Sequence, residues 1–266
     1  MNFLQYKKQV QDLEFTTIAA AKKQTGLSYL MGLNSSSKIK KGAKLNYLSG
    51  ILYLAPHKSS GFNTCSMASK GCILGCLNTS GRVKMDTKNT ILNSRLKKTW
   101  LFYANRKFFN SWLHAEIKAG QRKAEAKNMH YSVRLNGTSD LDLRLFNVLE
   151  TFKDVQFYDY TKVFNRLETF KNVPNYHLTF SYSESNFEQW QEAINLGFNV
   201  AVPFMGKILP EKYMGLEVFD ADVTDLRFLD EPKASIAGLR VKNIKSKTAQ
   251  QKSIKSGFIV DPQINK

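Results

Sequence analysis

The sequence predicts an α/β fold: a full or partial (β/α) barrel behind an N-terminal helical extension. Three observations predict it. Short apolar runs alternate with amphipathic helical runs from residue 45 onward, the pattern of βαβ units and a parallel sheet. Polar residues close nearly every apolar run. A cysteine-rich loop follows the first of these runs, which in a barrel puts it on the same face as the other strand ends, where barrel chemistry sits. An open doubly wound sheet fits the same alternation. On this reading residues 1–44 are a helical, basic extension and residues 45–266 the barrel-like domain.

The elements follow in order. Leu4, Val10, Leu13, Phe15, Ile18 and Ala19 suit a helix or helix pair closing near Gly26 and Gly32. The polar stretch from Asn34 to Lys44 has the composition of an exposed loop. Tyr47 to Leu54 favours a strand, which Pro56 stops. Asp86 to Lys127 predicts one or two long helices. Ile91, Leu92, Leu96, Trp100, Tyr103 and Phe108 form their core face, and Arg95, Lys97, Lys98, Arg106 and Lys107 their outer face. His130–Gly137 is a strand running into a loop, and Leu141–Phe152 an amphipathic helix. Strands follow at Val155–Lys162, Tyr176–Ser183, Phe198–Phe204, within Gly215–Phe228 and at Ala234–Lys242. Helices are expected at Val163–Phe170 and at Asn186–Gly197, the latter closed by its glycine. Gly257–Pro262 reads as a short closing strand after a lysine-rich loop, Lys242 to Lys255. That makes about seven strands.

Composition bounds the function classes. The chain has 266 residues, 42% of them hydrophobic and 12% aromatic, enough to bury a core without disulfide or metal staples. Lys and Arg number 39 against 22 acidic residues, a formal net charge of +17. Such a field attracts polyanions, with nucleic acid or a nucleotide the first partner to consider, though a solvated lysine-rich surface gives the same balance. No apolar run reaches the length of a membrane span, and the N-terminus lacks a signal-peptide pattern. An odd, clustered set of cysteines fits a reducing compartment. The expected location is the cytoplasm. No G-x-G-x-x-G, P-loop, H-E-x-x-H or G-x-S-x-G motif occurs.

All three cysteines, Cys65, Cys72 and Cys76, fall in one window with C-x6-C-x3-C spacing. Three thiolates can hold a [4Fe–4S] cluster with one iron left open. They can also hold zinc with a fourth ligand, for which His57 is the nearest histidine. Three small buried hydrophobes are the third reading. Other strand ends would face the same loop: Asn136, Gly137, Thr138, Ser139 and Asp140; Asp159, Tyr160 and Lys162; Ser181 to Glu184; Asp220 and Asp222; and Lys242. Asp159, Tyr160, Lys162, Ser181, Asp220, Asp222 and Lys242 are the catalytic candidates. Thr138, Ser139 or Asp140 could instead cap a following helix.

The segment LAPHKSSGFNTCSMASKGCILGCLNTSGR, followed by VRLNGTSDL, QFYDYTK, NYHLTFSYSES and NVAVPF, resembles an uncharacterised family encoded mainly by bacteriophages. That family is related to the gene product 88 family, whose members are similar to radical S-adenosylmethionine (SAM) enzymes. The likeness covers about Lys44 to Val260. It implies a radical-SAM-like barrel and a 4Fe–4S cluster at Cys65, Cys72 and Cys76. It also implies that Asn136 to Asp140 stands where radical SAM proteins hold the methionine amino group. The spacing departs from the usual C-x3-C-x2-C, Leu77 replaces an aromatic, and no clear G-x-I-x-G adenine motif is present.

Two functions of different class follow. One is a radical-SAM-like iron–sulfur enzyme acting on a nucleotide or nucleic acid. The other is a nucleic-acid-binding phage protein with a structural zinc or iron–sulfur site and no catalysis. A barrel that has lost catalysis and binds a host protein is a third.

Overall fold

The computed structural model describes residues 2–34, 40–80, 82–244 and 246–263. The chain divides into two compact units. The first joins Met1–Cys65 to Lys88–Phe157, and the second joins Ser66–Thr87 to Tyr158–Lys266.

In the first unit, helix α1 (Phe3–Val10) opens on a capping box. The Asn2 side chain accepts from the Gln5 amide, and the Gln5 side chain accepts from the Asn2 amide. Helix α2 (Ile18–Thr25) is capped by Thr17 and ends at Gly26, whose φ of 67° is left-handed. Strand β1 (Met31–Leu33) runs antiparallel to β2 (Tyr47–Leu52). Strand β2 pairs in parallel with β3 (His130–Arg134), and β3 with the start of β4 (Gln156–Thr161).

Two long helices of this unit, here called αA (Thr90–Ala104) and αB (Arg106–Glu125), cross over from β2 to β3. Asn105 breaks them. Its side chain accepts from the Phe108 amide and donates to the carbonyls of Val10 and Leu13. Phe102, Phe108, Phe109, Trp112, Leu113 and Ile117 are buried; of the expected core face only Phe108 is among them, and Ile91, Leu92, Leu96, Trp100 and Tyr103 are half-buried. αB lies close on β3 at Gly120, where a Cβ would stand 2.1 Å from the Tyr131 hydroxyl oxygen.

Two expectations for this unit need correction. Arg95 and Lys98, expected on an outer face, are both buried. Arg95 lies over the Tyr53 ring at 4.9 Å and Lys98 over the Tyr29 ring at 4.3 Å, a cation–π contact that offsets part of their desolvation. The second is the helix expected over Leu141–Phe152. Only a 3-10 turn, Leu143–Phe146, forms there. Asp142 caps it through the Arg144 amide, and Asn147 at φ 53° ends it in a left-handed conformation.

The second unit carries the rest of β4 with β5 (Tyr176–Ser181), β6 (Val200–Phe204), β7 (Lys212–Tyr213), β8 (Leu216–Asp220) and β9 (Ile236–Arg240). Their order is β4-β5-β6-β9-β8-β7. The β5–β6, β6–β9 and β8–β9 pairs are parallel, and β7–β8 is antiparallel. Among the described residues β1 and β7 each have a single strand neighbour. The fold is therefore mixed α/β with a mostly parallel sheet that does not close into a barrel among the described residues. The two strands not foreseen, β1 and β7, have three and two residues, too few to show periodicity.

The helices at Asn165–Phe170 and Phe187–Asn195 match expectation, the latter followed by Gly197 at φ 88°. The lysine-rich stretch after Lys242 does not. It contains a helix, Lys247–Lys255, capped by Ser246 through the Ala249 amide. Its sequence hides it because its fully buried residue is Ser253 rather than a large apolar one. Gly257–Pro262 contributes one bridge, Val260 to Phe204, rather than a strand.

Candidate cysteine site

Each half of the cysteine segment has its own scaffold. Cys65 belongs to the first unit, and Cys72 and Cys76 to the second. None of the three is in a disulfide, and all are partly exposed.

Cys65 ends the loop that leaves β2. His57 takes φ 50° there, and its backbone amide donates to the Cys65 sulfur at 3.3 Å. Thr64, fully buried, donates its hydroxyl to the Ala55 carbonyl at 2.6 Å. The aromatic wall of the loop is Phe62 stacked on Tyr103 at 4.0 Å, with the Trp100 indole donating to the Ser60 carbonyl. Burial pushes the Tyr103 hydroxyl above its ordinary pKa, the Arg106 guanidinium pulls it back, and the neighbouring Cys65 adds a smaller push upward.

The loop after β3 meets Cys65 directly. Cys65 and Asp140 form a parallel bridge, with the Asp140 amide donating to the Thr64 carbonyl at 2.7 Å. The Cys65 thiol points at the Thr138 carbonyl, 3.7 Å away. The expected juxtaposition of Cys65 with Asn136–Asp140 is therefore present. The side chains of that loop are largely spent on the loop itself. Asn136, buried, donates to the Leu141 carbonyl and accepts from the Ser139 hydroxyl and the Leu141 amide. Thr138 donates to the Leu54 carbonyl. Gly137 donates its amide to the Leu52 carbonyl, and a Cβ on it would stand 2.7 Å from that oxygen and from the Tyr53 ring.

In the second unit, Cys72 sits in a short helix, Lys70–Leu74, whose cap is the Ser69 hydroxyl accepting from the Cys72 amide at 3.1 Å. Cys76 follows and accepts the Asn78 amide on its sulfur at 3.4 Å. Glu184 holds the start of this segment by accepting the Ser69 hydroxyl at 2.6 Å and the Gly71 amide at 2.8 Å. Ser253 donates to the Gly71 carbonyl. Of these holding groups Glu184 stood among the polar strand ends; nothing in the spacing singled out Ser253. Among the described residues no group of three or more His, Cys, Asp or Glu side chains is arranged to hold a metal ion.

The catalytic candidates each have their own surroundings in the second unit. Asp159 is buried and accepts from the Tyr176 hydroxyl at 3.5 Å. Tyr160 is half-buried. Lys162 lies over the Phe258 ring at 5.5 Å. The Ser181 carbonyl receives the Asn186 side chain. Asp220 and Asp222 both hold Arg240, at 2.8 Å to its guanidinium and 2.8 Å to its amide. Lys242 is exposed.

An open mixed α/β fold with a thiol tied to two strand-end loops defines the class. A family model described as gene product 88 matches residues 28–262. The chain belongs to the gene product 88 family. No curated protein matches it, and no solved structure does. No helix among the described residues is long and apolar enough to cross a membrane.

Proposed function

We propose that the protein is an iron–sulfur protein whose cluster is held by Cys65, Cys72 and Cys76. The observation that carries the reading is backbone N–H donation to sulfur, from His57 to Cys65 and from Asn78 to Cys76. Amide donors stabilise sulfur that bears negative charge, and hydrogen bonds to the sulfurs tune a cluster's potential. The donor chemistry is of the right kind, three partly exposed thiols outside any disulfide, though they are not preassembled as a metal-holding group among the described residues. When bound, a [4Fe–4S] cluster on three thiolates supplies electron transfer and one iron open to an outside ligand, which is SAM in the radical-SAM-like reading. The side chains of Asn136, Thr138 and Ser139 would then serve to set the loop's shape beside Cys65. A nucleotide or nucleic acid is the substrate class that the charge of +17 favours.

The test is anaerobic purification followed by iron, sulfide and zinc analysis. Iron and sulfide that are retained by the wild type and lost in C65S, C72S and C76S support the reading. Zinc alone, or a metal-free colourless protein after reconstitution, overturns it.

A second reading, a nucleic-acid-binding protein with a structural zinc or iron–sulfur site, has one observation of its own. Arg106, Lys107, Lys118, Arg122, Lys123 and Lys127 are exposed along and just beyond αB, with Glu125 as the exposed acid among them. Steeply salt-dependent binding that survives C72S and is lost on reversing these charges favours it.

A further inference from the structure

We infer that Glu184 is the positioning residue for Cys72, acting as a carboxylate latch on the segment that carries it. The inference rests on Cys72 being a ligand for its purpose, while the latch itself stands on geometry within the second unit.

Glu184 comes from the end of β5, more than a hundred positions away in the chain, at 115 residues from Ser69 and 113 from Gly71. Its two oxygens take two different donors. Oε2 accepts the Ser69 hydroxyl and Oε1 accepts the Gly71 amide. A serine hydroxyl has one proton to give. Once that proton goes to Glu184, the Ser69 oxygen faces the Cys72 amide as an acceptor, and it does so at 3.1 Å. The N–H alone sets the direction of that bond; what the carboxylate fixes is the rotamer of the Ser69 hydroxyl, and with it the place of the oxygen that caps the Cys72 helix. An ionised carboxylate is acceptor-only and meets both donors; a neutral amide in its place offers one acceptor and a competing donor.

The surroundings leave the latched segment no room to slide. A Cβ on Gly71 would stand 2.3 Å from the Ser256 Oγ, 2.5 Å from the Phe258 Cβ and 2.7 Å from the Glu184 Oε1. A Cβ on Gly75 would stand 2.6 Å from the Ser253 Oγ. Ser253 is fully buried and donates to the Gly71 carbonyl at 2.9 Å. The helix Lys247–Lys255 and the Glu184 carboxylate thus grip the same turn from the donor and the acceptor side of Gly71.

The test reads the thiols of metal-free protein, so it does not depend on a cluster. Iodoacetamide modification is followed separately for Cys72 and Cys65 by peptide mass spectrometry. E184A is expected to raise the Cys72 rate by about tenfold through local opening, with the Cys65 rate unchanged. E184Q should fall between wild type and E184A, because one acceptor survives. Equal Cys72 rates in wild type and folded E184A overturn the inference. Should E184A fail to fold, S69A takes its place: a faster Cys72 supports the latch and an unchanged one overturns it. Iron content measured in parallel on reconstituted wild type tests the ligand reading separately, since a metal-free wild type with an intact alkylation difference leaves the latch standing and removes the cluster.

Discussion

The Thr138 hydroxyl donates to the Leu54 carbonyl at 2.5 Å. This one bond ties the loop after β3 to the end of the β2 segment, beside the Cys65 thiol. Leu54 is fully buried, so water has little access to replace the lost donor. T138V keeps the shape and removes the proton. It is expected to lower stability by about 1–3 kcal/mol, read as a lower urea midpoint, while T138S stays near wild type.

Much of this loop was legible in the sequence. An apolar run stopped by Pro56 placed the cysteine loop at a strand end, and the glycine with hydroxyls after Arg134 placed the second loop beside it. What spacing could not show is that Cys65 and the pair Cys72 and Cys76 hang from different scaffolds, because scaffold membership depends on contacts such as Glu184 to Gly71 that span over a hundred residues. The burial of Arg95 and Lys98 was hidden for a related reason. A helical pattern assigns charged residues outward, and only the rings of Tyr53 and Tyr29 reveal that they turn inward. The helix Lys247–Lys255 left no apolar stripe to read, since it packs through serine against glycine.

Lys98 gives a pH signature. Burial lowers its amine from 10.5 to about 8, with Arg95 adding to the drop and Glu116 opposing it. Between those pH values the unfolded chain binds a proton that the folded chain has released. Stability from this group therefore rises as pH climbs from about 8 to about 10.5, and the full cost is felt below 8. The gain is at most about 3 kcal/mol. The stability of wild type relative to K98M, measured by urea denaturation at several pH values, should increase across that window. A flat difference would count against the buried, partly desolvated amine.

His177 predicts an acid sensitivity of the second unit. Burial lowers its imidazole from 6.5 to about 4, and Lys233 and Arg227 push the same way. The folded protein holds it neutral where the unfolded chain takes up a proton. Stability is therefore unaffected above about 6.5 and is lost as pH falls from there towards about 4, by at most about 3 kcal/mol. In H177Q that part of the acid loss should disappear, seen as a smaller drop in thermal midpoint between pH 7 and pH 4.5.

Gly137 separates space from conformation. Its amide already donates to the Leu52 carbonyl at 3.0 Å, and a Cβ would crowd that same oxygen and the Tyr53 ring at 2.7 Å each. Arg95 lies over the Tyr53 ring, 4.9 Å from its centre, so a ring that moves aside gives up that contact. G137A should cost about 1–3 kcal/mol as overpacking. Adding Y53A removes the ring but not the carbonyl, so the double variant should recover part of the clash energy and no more. The loop also carries the Thr138 carbonyl that the Cys65 thiol faces. G137A is therefore expected to speed iodoacetamide modification of Cys65 and leave Cys72 as it was, the reverse of the E184A pattern. If both thiols respond equally to both variants, the two halves of the cysteine segment share one scaffold in solution, and the separate anchoring of Cys65 is wrong.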